Sequence, residues 1–114
     1  MKVRSIYTLP AKTAHNDTVS QWELFEEKEF SSSIDVFHLN IVNPGTAVEP
    51  HRHDNEEQVF FILSGVGKIK VGREERTVRE GDAIYLPPRL THTLLNTGTH
   101  PLRFLAIGAK IAPQ

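Results

Sequence analysis

Six histidines punctuate the chain, at positions 15, 38, 51, 53, 92 and 100, and two of them are separated by a single residue. In an extended segment, residues i and i+2 point to the same face. His51 and His53 therefore present two imidazoles side by side, which suits two cis positions on one metal ion. A pair of exposed loop histidines is the alternative on spacing alone. Gln58 stands at the mouth of the β-rich run Gln58-Val59-Phe60-Phe61-Ile62. Far along the chain, His92 follows Pro87-Pro88-Arg89-Leu90-Thr91 and opens another run. Three imidazoles and one side-chain carbonyl oxygen can close around a divalent ion at roughly 2.0–2.2 Å.

These residues need elements to position them. Ile34–Val42, Val59–Leu63, Lys68–Val71, Arg76–Arg79, Ala83–Leu86, Thr91–Leu95 and Leu102–Ile107 are short and rich in Val, Ile, Leu, Phe and Thr. Between them lie turn formers such as Asn43-Pro44-Gly45, Ser64-Gly65-Val66-Gly67, Glu80-Gly81-Asp82 and Asn96-Thr97-Gly98. Short strands punctuated in this way predict an all-β sandwich or closed barrel. Val3–Leu9 is a candidate first strand, stopped by Pro10. Thr18–Phe30 reads equally as a short strand or a turn of helix. Gly65-Val66-Gly67 precedes no helix and is a hairpin turn rather than a phosphate loop. No activated serine is in evidence.

Composition bounds the rest. At 114 residues the chain has room for one domain. With no cysteine, disulfides, thiolate metal sites, iron–sulfur clusters and a Cys nucleophile are excluded. A net charge of −1 with scattered charges gives no basic face for nucleic acid. No apolar run approaches the ~20 residues of a membrane span. The N-terminal residues lack a signal-peptide core, so the expected location is the cytoplasm.

Gly45-x5-His51-x-His53-x4-Gln58-x6-Gly65 resembles the first motif of the cupins, in which two histidines and a glutamate ligate a metal. Gly81-x5-Pro87-x-Arg89-x2-His92-x3-Asn96 is similar to the second, which supplies a third histidine. Fifteen residues separate Gly65 from Gly81, like the short gap of small microbial cupins. The resemblance implies a single domain over residues 1–114, folded as the double-stranded β-helix (the jelly-roll, RmlC-like barrel). It implies one divalent metal (Mn, Fe, Ni, Zn or Cu) on His51, His53, Gln58 and His92. It also implies a homodimer, with Val3–Leu9 the candidate to pair with a neighbouring subunit. The chain departs from the pattern twice. Arg89 replaces a usual glycine, and Gln58 replaces the usual glutamate. Glu57 is the alternative ligand, but alternation puts Gln58 on the face of Phe60 and Ile62 and turns Glu57 away.

Neutral ligands would leave the full dipositive charge on the metal, sharpening its polarising power and disfavouring higher oxidation states. That favours an isomerase or lyase acting on a small oxygenated substrate such as a sugar acid. A set of small cupins with the same His/His/Gln/His pattern acts on unsaturated uronates. Such chemistry needs an acid or base, and since no Asp or Glu follows Asp82, a carboxylate must come from earlier in the chain. His38, which alternates with Val36 and Asn40, and Tyr85 are the catalytic candidates, with His38 and Asn40 also able to orient a substrate. The acidic run Asp54-Asn55-Glu56-Glu57 is either a support for the ligands or a solvated turn. His15, His100 and Arg103 read as surface residues. Two other functions stand beside the first: a metal-dependent dioxygenase or decarboxylase, and a module that binds a small ligand or metal without turnover.

Overall fold

The computed structural model describes residues 1–14 and 18–112, so His15 lies outside the described residues. Ten strands occur among these residues: β1 (Lys12–Ala14), β2 (Val19–Glu23), β3 (Ile34–Val42), β4 (Ala47–His51), β5 (Glu56–Ser64), β6 (Val66–Val71), β7 (Glu74–Arg79), β8 (Ala83–Leu86), β9 (His92–Asn96) and β10 (Leu102–Lys110). A single 3-10 turn spans Glu27–Glu29. The strands form a six-stranded sheet, in the order β1-β2-β3-β10-β5-β8, and a four-stranded sheet, β4-β9-β6-β7. Every pairing is antiparallel. This is the all-β fold that the turn spacing predicted, in the jelly-roll form that the motif resemblance implied.

Alternation sets what lies between the sheets. Along β5, Gln58, Phe60 and Ile62 are buried while Val59 and Phe61 are exposed. Along β10, Leu102, Phe104 and Ala106 face the same way. They meet Val42, Val48, Ile69, Leu86 and Leu94 in one apolar core. β10 lies between β3 and β5, so its inward residues tie both neighbours to the core.

The motif residues that carry no ligand have structural duties. Gly65, at φ +97°, turns the chain from β5 in one sheet to β6 in the other. A Cβ there would stand 2.9 Å from both Leu102 Cα and Pro101 O. Asn96 is buried, and its Nδ2 donates to the carbonyls of Val42 (2.9 Å) and His100 (2.8 Å). Its Oδ1 accepts from Gly98 N at 2.9 Å, which closes the turn after β9.

The N-terminal expectation needs correcting. Residues 3–9 form no strand; Thr8 N and Leu9 N both donate to Ser5 O at 3.1 Å, folding the segment into a turn. The sheet edge is occupied by β1 instead, and the arm is tethered by Lys2 and Arg4 to Glu29 at 3.3 and 2.5 Å. The ambiguous stretch 18–30 holds both candidates in series, a strand and then a short helical turn.

Candidate metal centre

His51 is the last residue of β4 and His92 the first of β9, and the two are direct cross-strand partners in the four-stranded sheet. A register shift between Val48 and His51 sets that pairing. His53 follows two residues later, in the loop before β5. One nitrogen from each of these three imidazoles lies within 4.8 Å of the others. The loops that carry them are clamped together, since Arg89 N donates to His53 O at 2.7 Å. Arg89 adopts φ 66°, the left-handed conformation for which glycine is suited.

The proton positions favour a cation. His51 Nδ1 lies 2.9 Å from the Glu49 carbonyl, so the proton sits on Nδ1 and the lone pair on Nε2. That Nε2 is 3.0 Å from His92 Nε2. Two nitrogens bound at right angles to one ion at about 2.1 Å stand about 3.0 Å apart. His53 Nε2 is buried without a hydrogen-bond partner. Burial and the neighbouring His51 hold the His53 imidazole below its ordinary pKa, keeping it neutral. Three imidazoles brought together in this way fit a divalent metal.

The centre opens on a cavity of about 230 Å³. Gln58, 7% exposed, lines it from β5. Its Nε2 donates to Glu56 Oε1, leaving the carbonyl oxygen as the uncommitted end of the amide. Glu57 is on the other face, where its Oε1 accepts from the Tyr85 hydroxyl at 2.9 Å. Tyr85 is 56% exposed and is absent from the cavity wall. His38 does line the cavity, and its Nε2 is 3.6 Å from Glu23 Oε2. Burial lowers the His38 pKa, while Glu23 opposes the shift. Asn40 lines the cavity from the same strand at 6% exposure.

Sequence reasoning placed Glu56 in an acidic run, either a support for the ligands or a solvated turn, and gave it no place in the cavity. The structure puts it on the cavity wall, with Oε1 3.8 Å from His53 Nδ1. Burial and the adjacent Asp35 carboxyl push its pKa up to about 7, and the Gln58 amide pulls the other way. The signal was present: Glu56 is two residues before Gln58, hence on the same strand face. It was missed because the expected strand began only at Val59.

A family model described as the Cupin domain matches residues 38–108. The chain is a cupin. It is 37% identical over 65 residues to an uncharacterized protein of Methanocaldococcus jannaschii, covering 57% of this cupin and 52% of the relative. The cupin thus spans about half the length of that protein. It is 25% identical over 111 residues to an oxalate-binding protein of Thermotoga maritima, covering 94% of this chain and 92% of the other. Its fold is similar to the crystal structure of a predicted oxalate decarboxylase from Thermotoga maritima. The TM-score is 0.89 at 24% identity, over 97% of this cupin and all (100%) of that chain. The structural likeness shows a shared barrel; three histidines that could hold an ion are this cupin's own.

Proposed function

We propose that this cupin holds one divalent metal on His51, His53, His92 and the carbonyl oxygen of Gln58, and works as an isomerase or lyase on a small oxygenated acid. The observation that carries the reading is a cluster of three histidines opening on a small cavity that also contains the amide of Gln58 and a carboxyl, Glu56. When bound, the ion supplies Lewis acidity, strengthened because no anionic ligand cancels its charge. Gln58 is supported as fourth ligand by its place on the cavity wall, and Glu57 is engaged by Tyr85 outside it.

Within this reading Glu56, on the cavity wall beside His53, would exchange a proton with the substrate. His38, with Glu23 behind it, serves the β3 side of the cavity. Val48, Phe60 and Phe104 exclude water and shape the pocket. A pocket of this size takes a ligand smaller than the drug-sized molecules that fill roughly 300–1,000 Å³. The reading includes a homodimer, supported by exposed Val59 and Phe61 on the outer face of the six-stranded sheet.

Metal content per subunit tests the centre. About one equivalent is expected in the wild type, with His53→Ala and Gln58→Ala both losing it. Glu56→Gln should keep the metal while turnover of an unsaturated uronate falls about 100-fold or more. A wild type that stays empty after incubation with Mn, Fe, Ni, Zn and Cu would sink the metalloenzyme reading. A second reading, binding without turnover, is favoured by the similarity to the oxalate-binding protein over nearly the whole chain. Retained oxalate with no product would choose it.

A further inference from the structure

Asn40 is the feature of the cavity that the metal centre does not explain. Its side chain faces inward from β3 at 6% exposure, and its Oδ1 is buried with no hydrogen-bond partner. On β2, its direct cross-strand partner is Gln21, which lines the same cavity. On the other flank its partner is Phe104, which is fully buried and offers nothing polar. A buried carboxamide left unmatched by its own protein is matched by whatever fills the cavity. His38, two residues back on the same face, adds an imidazole to this wall.

The wall is polar and carries no cation. Neither Lys nor Arg lines the cavity; Glu56 stands on its wall, and Glu23, against His38, is itself paired with Lys12 at 3.7 Å. A second carboxylate on a ligand has no proton to give Asn40 Oδ1, the atom that lacks a partner. A hydroxyl has no such difficulty. It donates to Asn40 Oδ1 and accepts from a neighbouring N–H, using both capacities of the amide. We propose that Asn40, with Gln21 beside it, is the specificity determinant for a ligand that is a carboxylate at one end and a hydroxyl-bearing chain at the other.

The span fits such a molecule. β3 is two strands away from β5, with β10 between them. Asn40 is level with Ile62, four residues along β5 from Gln58, so at ~4.8 Å per strand and ~3.3 Å per residue their backbones stand about 16 Å apart, and a longer chain reaches from one toward the other better than a two-carbon dianion. The inference rests on the metal reading above, because the carboxylate end needs the metal as its anchor.

Matched ligand pairs test it by calorimetry on protein loaded with manganese(II), whose metal content is measured first. The pairs are threonate against succinate and gluconate against adipate, equal in carbon number and differing in hydroxyls against a second carboxylate. Oxalate serves as a ligand that needs only the metal. The hydroxy acid of at least one pair should bind about tenfold tighter than its dicarboxylate. Asn40→Leu should erase that preference while oxalate affinity and metal content stay unchanged, and Asn40→Asp should restore binding of the hydroxy acid over adipate or succinate. Equal affinities within both pairs would overturn the proposal, since Asn40 would then be satisfied by water. A parallel loss of oxalate in Asn40→Leu would overturn it too, by assigning Asn40 to the framework. Wild type that binds no manganese fails the metal reading instead, a result seen before any acid is added.

Discussion

Arg89 holds its clamp on His53 in a conformation that L residues avoid, with φ at 66°. The resemblance to the cupin motif raised a question about loop geometry at this position, and the structure answers it. The backbone keeps the glycine-like turn, and the side chain returns something through Nη1, which lies 3.4 Å from the Asp54 carbonyl. Arg89→Gly should raise stability in urea unfolding by about 1 kcal/mol, with the Arg89 N to His53 O bond preserved. A loss instead would mean that the guanidinium contact outweighs the strain. His38 gives a second prediction at this scale. Its pKa is depressed in the folded state, chiefly by burial, with Glu23 and Asp35 opposing and Lys12 assisting. Below its ordinary value of 6.5 the unfolded chain binds the proton more readily, so stability present above that pH is lost as pH falls through the folded value. His38→Gln should flatten the fall in melting temperature below pH 6.5; an unchanged slope would assign the acid sensitivity to other groups.

At the scale of the element, β5 shows why one residue of register decides the chemistry. Glu56, Gln58, Phe60 and Ile62 point inward, and Glu57, Val59 and Phe61 outward. A slip of one would exchange Gln58 for Glu57 at the cavity wall and put a carboxylate where an amide stands. Alternation grouped Gln58 with Phe60 and Ile62, but the outward Val59 and Phe61 are apolar too, so only the packed sheet shows which face is inside. The start of the strand was less legible. Glu56 and Glu57 are poor β formers, held in place by pairing with Lys110 and Ala109 of β10. The end of β5 depends on Gly65. Gly65→Ala should destabilise the fold by about 2 kcal/mol, through positive φ and the clash with Leu102 and Pro101. Chemical denaturation reads it directly, and an unaffected midpoint would mean the corner yields freely.

Across the whole molecule, the proposed ligands come from both sheets: His51 and His92 from the four-stranded one, Gln58 from the six-stranded one, and His53 from the loop that joins them. An ion at that place would bind the folded barrel and not the open chain. Metal at 100 times its dissociation constant should therefore add about 2.7 kcal/mol of stability, removed by a chelator. Calorimetric melting with and without chelator checks this; identical curves would mean that no ion binds the folded barrel in preference to the open chain. Among the described residues no helix is long and apolar enough to cross a membrane.

Residue type and spacing determined a good deal unaided. The turn formers and short apolar runs required an all-β fold, because strands of this length cannot bury a face except against another sheet. The spacing His51-x-His53 and the period of two through Gln58 nominated four of the cavity's neighbours. The sequence could not show that His92 faces His51 across one rung of the sheet, since that depends on the register shift in β4. Nor could it show that Tyr85 stays outside the cavity, although the period of two already set Glu56 on the face of Gln58. The fate of Val3–Leu9 was equally hidden, as was the orphaned Oδ1 of Asn40, a residue that alternation with His38 had already offered as able to orient a substrate. A strand needs an edge, and β1 had taken it. An amide becomes a binding group only when every neighbour that might have satisfied it is packed elsewhere. Pattern along the chain says which face a residue takes; only closure of the two sheets says what that face meets.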